Sequence, residues 1–101
     1  FTNVNLILGN NIKIIGEYAF NNIKGLQTVV MDQVTTIGDY AFRSCTKVTK
    51  VVIPYSIKSI GKYAFNGWKS SQTIEFAGRK NTTGITLGSS WKGSAKVTYG
   101  G

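Results

Sequence analysis

The sequence predicts an α/β solenoid: a short right-handed coil of about 23-residue turns, each with one short strand and one short helical turn. Three observations predict it. One string returns almost unchanged, as IGEYAF from Ile15 to Phe20, IGDYAF from Ile37 to Phe42 and IGKYAF from Ile60 to Phe65. The glycines of these strings, Gly16, Gly38 and Gly61, are evenly spaced to within a single position. Apolar residues then recur at fixed distances from each glycine, and self-similarity at such a period marks a coil of stacked units. A unit this short cannot bury its apolar face alone, so its neighbours must cover it.

The turns follow in order along one domain, 1–101. Residues 1–11 read as the tail of a preceding turn, because Phe1, Val4 and Leu6 match the spacing of Leu26, Val29 and Met31. Three full turns occupy 12–33, 34–56 and 57–79. One more step of the same length from Gly61 lands on Gly84, which makes 80–101 a degenerate capping turn that has lost YAF. Counted from these glycines, Ile23, Cys45, Trp68 and Trp91 share one column, and Val29, Val51, Ile74 and Val97 another. Starting in mid-repeat, the chain is expected to be a fragment of a longer protein.

Strands are expected near 2–6, 27–31, 49–53, 72–76 and 95–99, where apolar residues alternate with polar or small ones, the period of a half-buried strand. The GEYAF segment reads as a single helical or 3₁₀ turn. Glycine breaks the chain before it, and Glu17 or Asp39 stands where an acid can cap free N–H groups. Lys62, at the third equivalent position, is unfavourable by the same logic.

The core columns are Ile12, Val34 and Ile57; Ile15, Ile37 and Ile60; and the small Ala19, Ala41 and Ala64. Phe20, Phe42 and Phe65 are expected to stack in one file. The column of Leu26 and Val48 continues as Ser71 and Ser94, so the core fades toward the C-terminus, as a capping turn exposed to water requires.

Units of about 20–29 residues with strand-like apolar pairs point to a solenoid of the leucine-rich-repeat kind. The IG-x-YAF strings, the run from Cys45 to Pro54 (CTKVTKVVIP) and the return of Ile57 to Ile60 before the next glycine resemble BspA-type leucine-rich repeats. The resemblance covers 12–79 well, and 1–11 and 80–101 by register. Ile23 and Trp68 replace the family's cysteine, and one residue is missing between Met31 and Val34. The resemblance implies a secreted or cell-surface protein of bacteria or protists, a binding or adhesion module with no catalytic residues, and an extracellular or host protein as partner; an alternative is an accessory or structural repeat array on a larger secreted protein.

Composition excludes several chemistries. The chain has no His, one Cys and four carboxylates, Glu17, Asp32, Asp39 and Glu75. That removes an imidazole base, a Ser-His or Cys-His pair, an internal disulfide and a Cys-rich zinc site. No enzyme activity, cofactor or metal is expected. No apolar run reaches the roughly 18–20 residues of a membrane span.

Charge is uneven. Residues 1–42 carry two basic and three acidic side chains, net −1, while 43–101 carry ten basic and one acidic, net +9. This basic half suggests an alternative partner, an acidic polysaccharide or other polyanion. The lack of an aromatic–basic groove or recognition helix argues against nucleic acid.

The candidate ligand face is the outward side of the strands: Thr28, Val30, Lys50, Val52, Thr73, Glu75, Lys96 and Thr98, with Asn3 and Asn5 before them. Val30 beside Val52 makes an apolar stripe that suits a protein partner. A basic edge of Lys24, Lys69 and Lys92 runs beside Trp68 and Trp91, both expected to pack inward. Cys45 is expected to be a buried core thiol. The open N-terminal rung calls for a homodimer or a preceding neighbour.

Overall fold

The computed structural model describes residues 3–101; Phe1, and Thr2 at the start of the first expected strand, lie outside them. Nine strands follow one another: β1 (Val4–Ile7), β2 (Ile14–Ile15), β3 (Leu26–Val30), β4 (Thr36–Ile37), β5 (Lys50–Ile53), β6 (Ser59–Ile60), β7 (Thr73–Phe76), β8 (Thr86–Leu87) and β9 (Lys96–Tyr99). All pairings are parallel, as a coil that always winds the same way requires. The two-residue strands form one sheet in the order β2-β4-β6-β8. The longer strands form two, β1-β3 and β5-β7-β9. The long strands are those expected from alternation. The two-residue strands are too short to show any period.

The expected helical turn is absent, and the described residues contain no helix. The backbone of the YAF corner explains why. Tyr18, Phe20 and Asn22 donate their N–H groups to the carbonyls of Asp39, Ala41 and Arg43 in the next turn, at 2.9, 2.8 and 2.7 Å. Tyr40, Phe42 and Ser44 do the same to Lys62, Ala64 and Asn66. Only the residues between them bond within the corner, for example Ala41 to Gly38 at 3.3 Å. An α-helix would turn every N–H back along its own axis. Here alternate N–H groups leave for the neighbouring turn.

That alternation forces Tyr18, Tyr40 and Tyr63 to φ of 59°, 59° and 56°. The left-handed region is costly for an aromatic residue and incompatible with a right-handed helix. Asp39 does not cap its own corner either. Its Oδ1 accepts the N–H of Lys62 at 2.9 Å, which ties two turns together.

The glycine of each string permits the close approach. A Cβ on Gly38 would lie 2.7 Å from the Glu17 nitrogen, and one on Gly61 would lie 2.5 Å from the Asp39 nitrogen. Any side chain there would push two turns apart.

The core lies between the two walls of strands. Phe20, Phe42 and Phe65 stand in one file, with ring centroids 5.5 Å apart at each step. Phe42 and Phe65 are fully buried, each worth roughly 1.5–3 kcal/mol in removal from water. Trp68 is buried edge-on against Phe65, and its Nε1–H donates to the Phe42 carbonyl at 2.8 Å. Ile12, placed in the core by sequence, is 41% exposed because it sits on the first turn.

The fading inner column is real but shifted by one residue. Ser71 and Ser94 are exposed, and Gln72 and Ala95 are buried instead. Gln72 is tolerated there because its amide is satisfied. Nε2 donates to the carbonyls of Cys45 and Val48 at 2.9 and 2.7 Å, and Oε1 accepts the Lys69 N–H at 2.8 Å.

The fourth turn departs from the counted register. Gly88, not Gly84, continues the glycine column: its N–H donates to Ile60 as Gly61 donates to Ile37. The step from Gly61 to Gly88 is longer than that from Gly38 to Gly61, and the excess, Ile85 to Gly88, enters before the glycine. It is removed after it, because Thr73 still pairs with Lys96 and Ile74 with Val97. Trp91 therefore leaves the column of Trp68. Its carbonyl accepts the Phe65 N–H at 2.8 Å, the place that Ala64 takes under Phe42. The indole is half-buried across Phe65 and Phe76.

Candidate binding face

The long strands turn every second residue toward solvent, and strand pairing sets those residues in rows. Asn5 pairs with Thr28 and Ile7 with Val30. Lys50 pairs with Thr73 and then Lys96, and Val52 with Glu75 and then Thr98. The face residues expected from Thr28 to Thr98 thus stand in two paired groups, Thr28 and Val30 beside β1 and Lys50 to Thr98 across β5, β7 and β9, each at the roughly 4.7–4.9 Å spacing of neighbouring strands. β3 and β5 lie side by side without forming a ladder.

The rows differ in chemistry. Lys50 Nζ meets Glu75 Oε1 at 3.0 Å, with about half of the lysine side chain and a quarter of the carboxylate side chain exposed. An exposed pair of this kind contributes about 0–1 kcal/mol to stability and leaves both groups reachable. Thr98 Oγ1 donates to the same carboxylate at 3.4 Å, and Thr28 Oγ1 donates to Asn5 Oδ1 at 2.7 Å.

The other row is apolar at its N-terminal end. Val52 is 40% exposed, Val30 46% and Ile7 75%. The stripe is therefore one residue longer than the two valines read from the sequence. The signal for Ile7 was available, since Ile7 stands one full period before Val30. The spacing that matched Val4 to Val29 and Leu6 to Met31 is wrong: the strands pair Val4 with Leu26 and Leu6 with Val29, across an irregularity between Val4 and Asn5, and so set Ile7 rather than Asn5 opposite Val30.

The basic edge gathers less than its sequence suggests. Lys24, Lys69 and Lys92 are exposed. Lys92 Nζ donates to the Ala95 carbonyl at 3.4 Å. Lys69 borders an open, shallow groove of about 520 Å³ with Trp68, Gly93 and Ser94. The Trp68 ring is buried, and Trp91 has moved to the Phe65 corner, so neither tryptophan interleaves an exposed face with these lysines. A second open groove, of about 470 Å³, crosses the glycine column between Thr36 and Ser89.

The corners carry a further file, Tyr18, Tyr40 and Tyr63, with stacked rings 4.8 and 5.3 Å apart. Arg43 lies over the Tyr40 ring at 5.6 Å, and its Nε donates to Asn21 Oδ1 at 3.0 Å. The file is half-buried except at Tyr18, which is 49% exposed.

No group of three or more His, Cys, Asp or Glu side chains comes together among the described residues. Cys45 is buried, and its thiol donates to the Phe20 carbonyl at 3.0 Å. Burial pushes this thiol above its usual range, which disfavours the nucleophilic thiolate. No helix among the described residues is long and apolar enough to cross a membrane.

The family model for the BspA-type leucine-rich-repeat region matches residues 1–90, in six copies. No curated protein and no solved structure matches the chain.

Proposed function

Because the chain belongs to the BspA-type leucine-rich-repeat family, we propose that it is a non-catalytic protein-binding and adhesion module of a secreted or cell-surface protein, binding through the outer face of β3, β5, β7 and β9. The observation that carries the reading is the row Ile7, Val30, Val52. Its side chains are exposed and apolar, Ile7 and Val30 paired across β1 and β3 and Val52 on the adjoining strand β5, and they are flanked by the charged and hydroxyl side chains of Lys50, Glu75, Thr73, Lys96 and Thr98. An apolar centre with a polar rim is the anatomy of a protein interface, and rigid strands hold it with little ordering cost. The two grooves lined by Thr36–Ser89 and by Asn66–Ser94 are open rather than enclosed, which favours a macromolecule over a small ligand. A family of binding repeats, a core thiol and scattered carboxylates support a role without catalysis.

The test is binding of the immobilised chain to a panel of extracellular proteins and acidic glycans, at low and high salt. Val30→Glu with Val52→Glu weakens protein capture at least about tenfold, since two apolar contacts of the centre are lost. Lys69→Glu with Lys92→Glu leaves it within about twofold, as rim charges do. Capture of acidic glycan alone, falling steeply with salt and abolished by the lysine changes, would replace this reading with polyanion binding.

A further inference from the structure

We infer that Tyr55 and the loop after β7 form an anchor beside the binding face that takes an acidic side chain of a protein partner, its carboxylate on Arg79 and its apolar stem against Tyr55. The inference rests on the protein-binding reading of that face and names the chemistry of the partner.

The loop is an insertion. Phe76 pairs with Ile53 and Thr86 with Ser59, yet the chain between β7 and β8 runs 77–85 where that between β5 and β6 runs 54–58. Insertions in stacked repeats map to loops on one face, often the face that binds. This one is built around an exposed ring. Tyr55 stands three residues beyond Val52 and is 65% exposed, although its turn is an inner one. A Cβ on Gly78, which has a φ of 67°, would lie 3.3 Å from Tyr55 Cδ1. The Arg79 guanidinium lies over the ring at 4.7 Å. The glycine thus admits the ring, and the arginine holds it.

Arg79 is fixed in its turn. Nη1 donates to the Thr83 carbonyl at 3.2 Å and Nη2 to the Tyr55 carbonyl at 3.3 Å. Asn81 Oδ1 accepts the Thr83 N–H at 3.0 Å, which ties the loop to itself. The arrangement carries a cost, since Nε is buried without a partner among the described residues. No carboxylate offsets it: the one ion pair among those residues joins Lys50 to Glu75. Each terminal nitrogen of a guanidinium carries two N–H groups. One on Nη1 and one on Nη2 therefore remain, the pair that grips a carboxylate with parallel bonds.

Charge and continuity select the occupant. Lys80 beside Arg79 is exposed, and residues 43–101 carry net +9, which attracts an acidic partner. The exposed Val30 and Val52 favour an acidic protein segment over an acidic glycan, which has no apolar side chains to cover them. Tyrosine and arginine are the types that most often dominate such contacts, and a ring and a cation already held in place bind with little ordering cost.

Fluorescence anisotropy with three labelled probes tests the inference: a capped peptide alternating leucine and glutamate, its leucine–glutamine counterpart, and a heparin fragment. The chain is expected to bind the leucine–glutamate peptide at least about tenfold more tightly than the leucine–glutamine one. Arg79→Gln and, separately, Tyr55→Ser remove that preference. Tyr55→Phe keeps it, and Arg79→Lys, which retains the charge but not the fork, keeps only part. Tyr55 is exposed, so its variants leave the unfolding midpoint unchanged. Val30→Ser with Val52→Ser weakens both peptides alike. Equal binding of the two peptides, with the valines still required, overturns the acidic anchor and leaves the protein-binding reading standing. A preference indifferent to Arg79→Gln and Tyr55→Ser also overturns the anchor. Binding of neither peptide, or of heparin alone, overturns both.

Discussion

The third and fourth turns make the same backbone contacts with different side chains. Between turns two and three, Tyr40 and Phe42 donate to Lys62 and Ala64. Between turns three and four, Tyr63 and Phe65 donate to Ser89 and Trp91. Ser90 even keeps the left-handed φ, at 50°, where the earlier corners have tyrosine. Yet the fourth turn has lost YAF, is longer before its glycine and is shorter after it by the same amount. The comparison teaches that the turn is defined by inter-turn amide bonds and by a glycine that admits them. The aromatic files are what the inner turns add.

The largest expected effect separates the two by side chain. Phe65→Ala removes a fully buried ring from the file and costs about 3–5 kcal/mol in denaturant unfolding. Trp91→Ala, half-buried on the cap, costs about 1–2 kcal/mol. Equal losses would mean that the cap is as much core as the inner turns.

Glycine substitution should erase that difference. Gly61→Ala and Gly88→Ala each force backbone apart and cost about 2–4 kcal/mol, although one lies in a regular turn and the other in the degenerate one. Gly16→Ala is neutral or stabilises by about 0.4–1 kcal/mol, since it only restricts the unfolded chain.

Gln72 sharpens the comparison from inside the core. Gln72→Ala strips the Cys45 and Val48 carbonyls of their donor and costs about 2–3 kcal/mol. Ala95, its neighbour in the fourth turn, has no such network to lose.

The smallest effects concern strain and protonation. Ser90→Gly relieves a left-handed serine and stabilises by up to about 1 kcal/mol. Cys45 holds its proton more tightly folded than unfolded because burial disfavours the thiolate. Its contribution is therefore complete below the ordinary thiol range and is lost as pH rises through that range toward the folded value. The unfolding midpoint of the chain falls on that alkaline side more steeply than that of Cys45→Ala, which lacks the group.

Much of this was legible from residues alone. The near-constant spacing of Gly16, Gly38 and Gly61 revealed the coil, the long strands and the phenylalanine file, because side-chain burial repeats with the period. The corners were misread for a physical reason. GEYAF has the composition of a helical turn, and nothing local shows that alternate N–H groups will leave for a neighbour one full period away. Tyrosine at positive φ has no sequence signal at all. The fourth turn misled by offering two glycines, Gly84 and Gly88, of which an even count selects the wrong one. On the binding face, alternation was enough to find Val30 and Val52, while Ile7 was missed because Val4 and Leu6 were matched to Val29 and Met31, out of the register in which Leu6 pairs with Val29 and Ile7 with Val30.

Amide hydrogen exchange across the YAF corner tests the central claim most directly, that bonds between turns rather than within them build the coil. The account predicts alternation. Tyr40, Phe42 and Ser44, bonded to the next turn at 3.1, 2.8 and 2.8 Å, exchange slowly, while Ala41 and Arg43, bonded within the corner at 3.3 Å, exchange faster. Uniform protection through residues 40–44, as a helical turn would give, would contradict it.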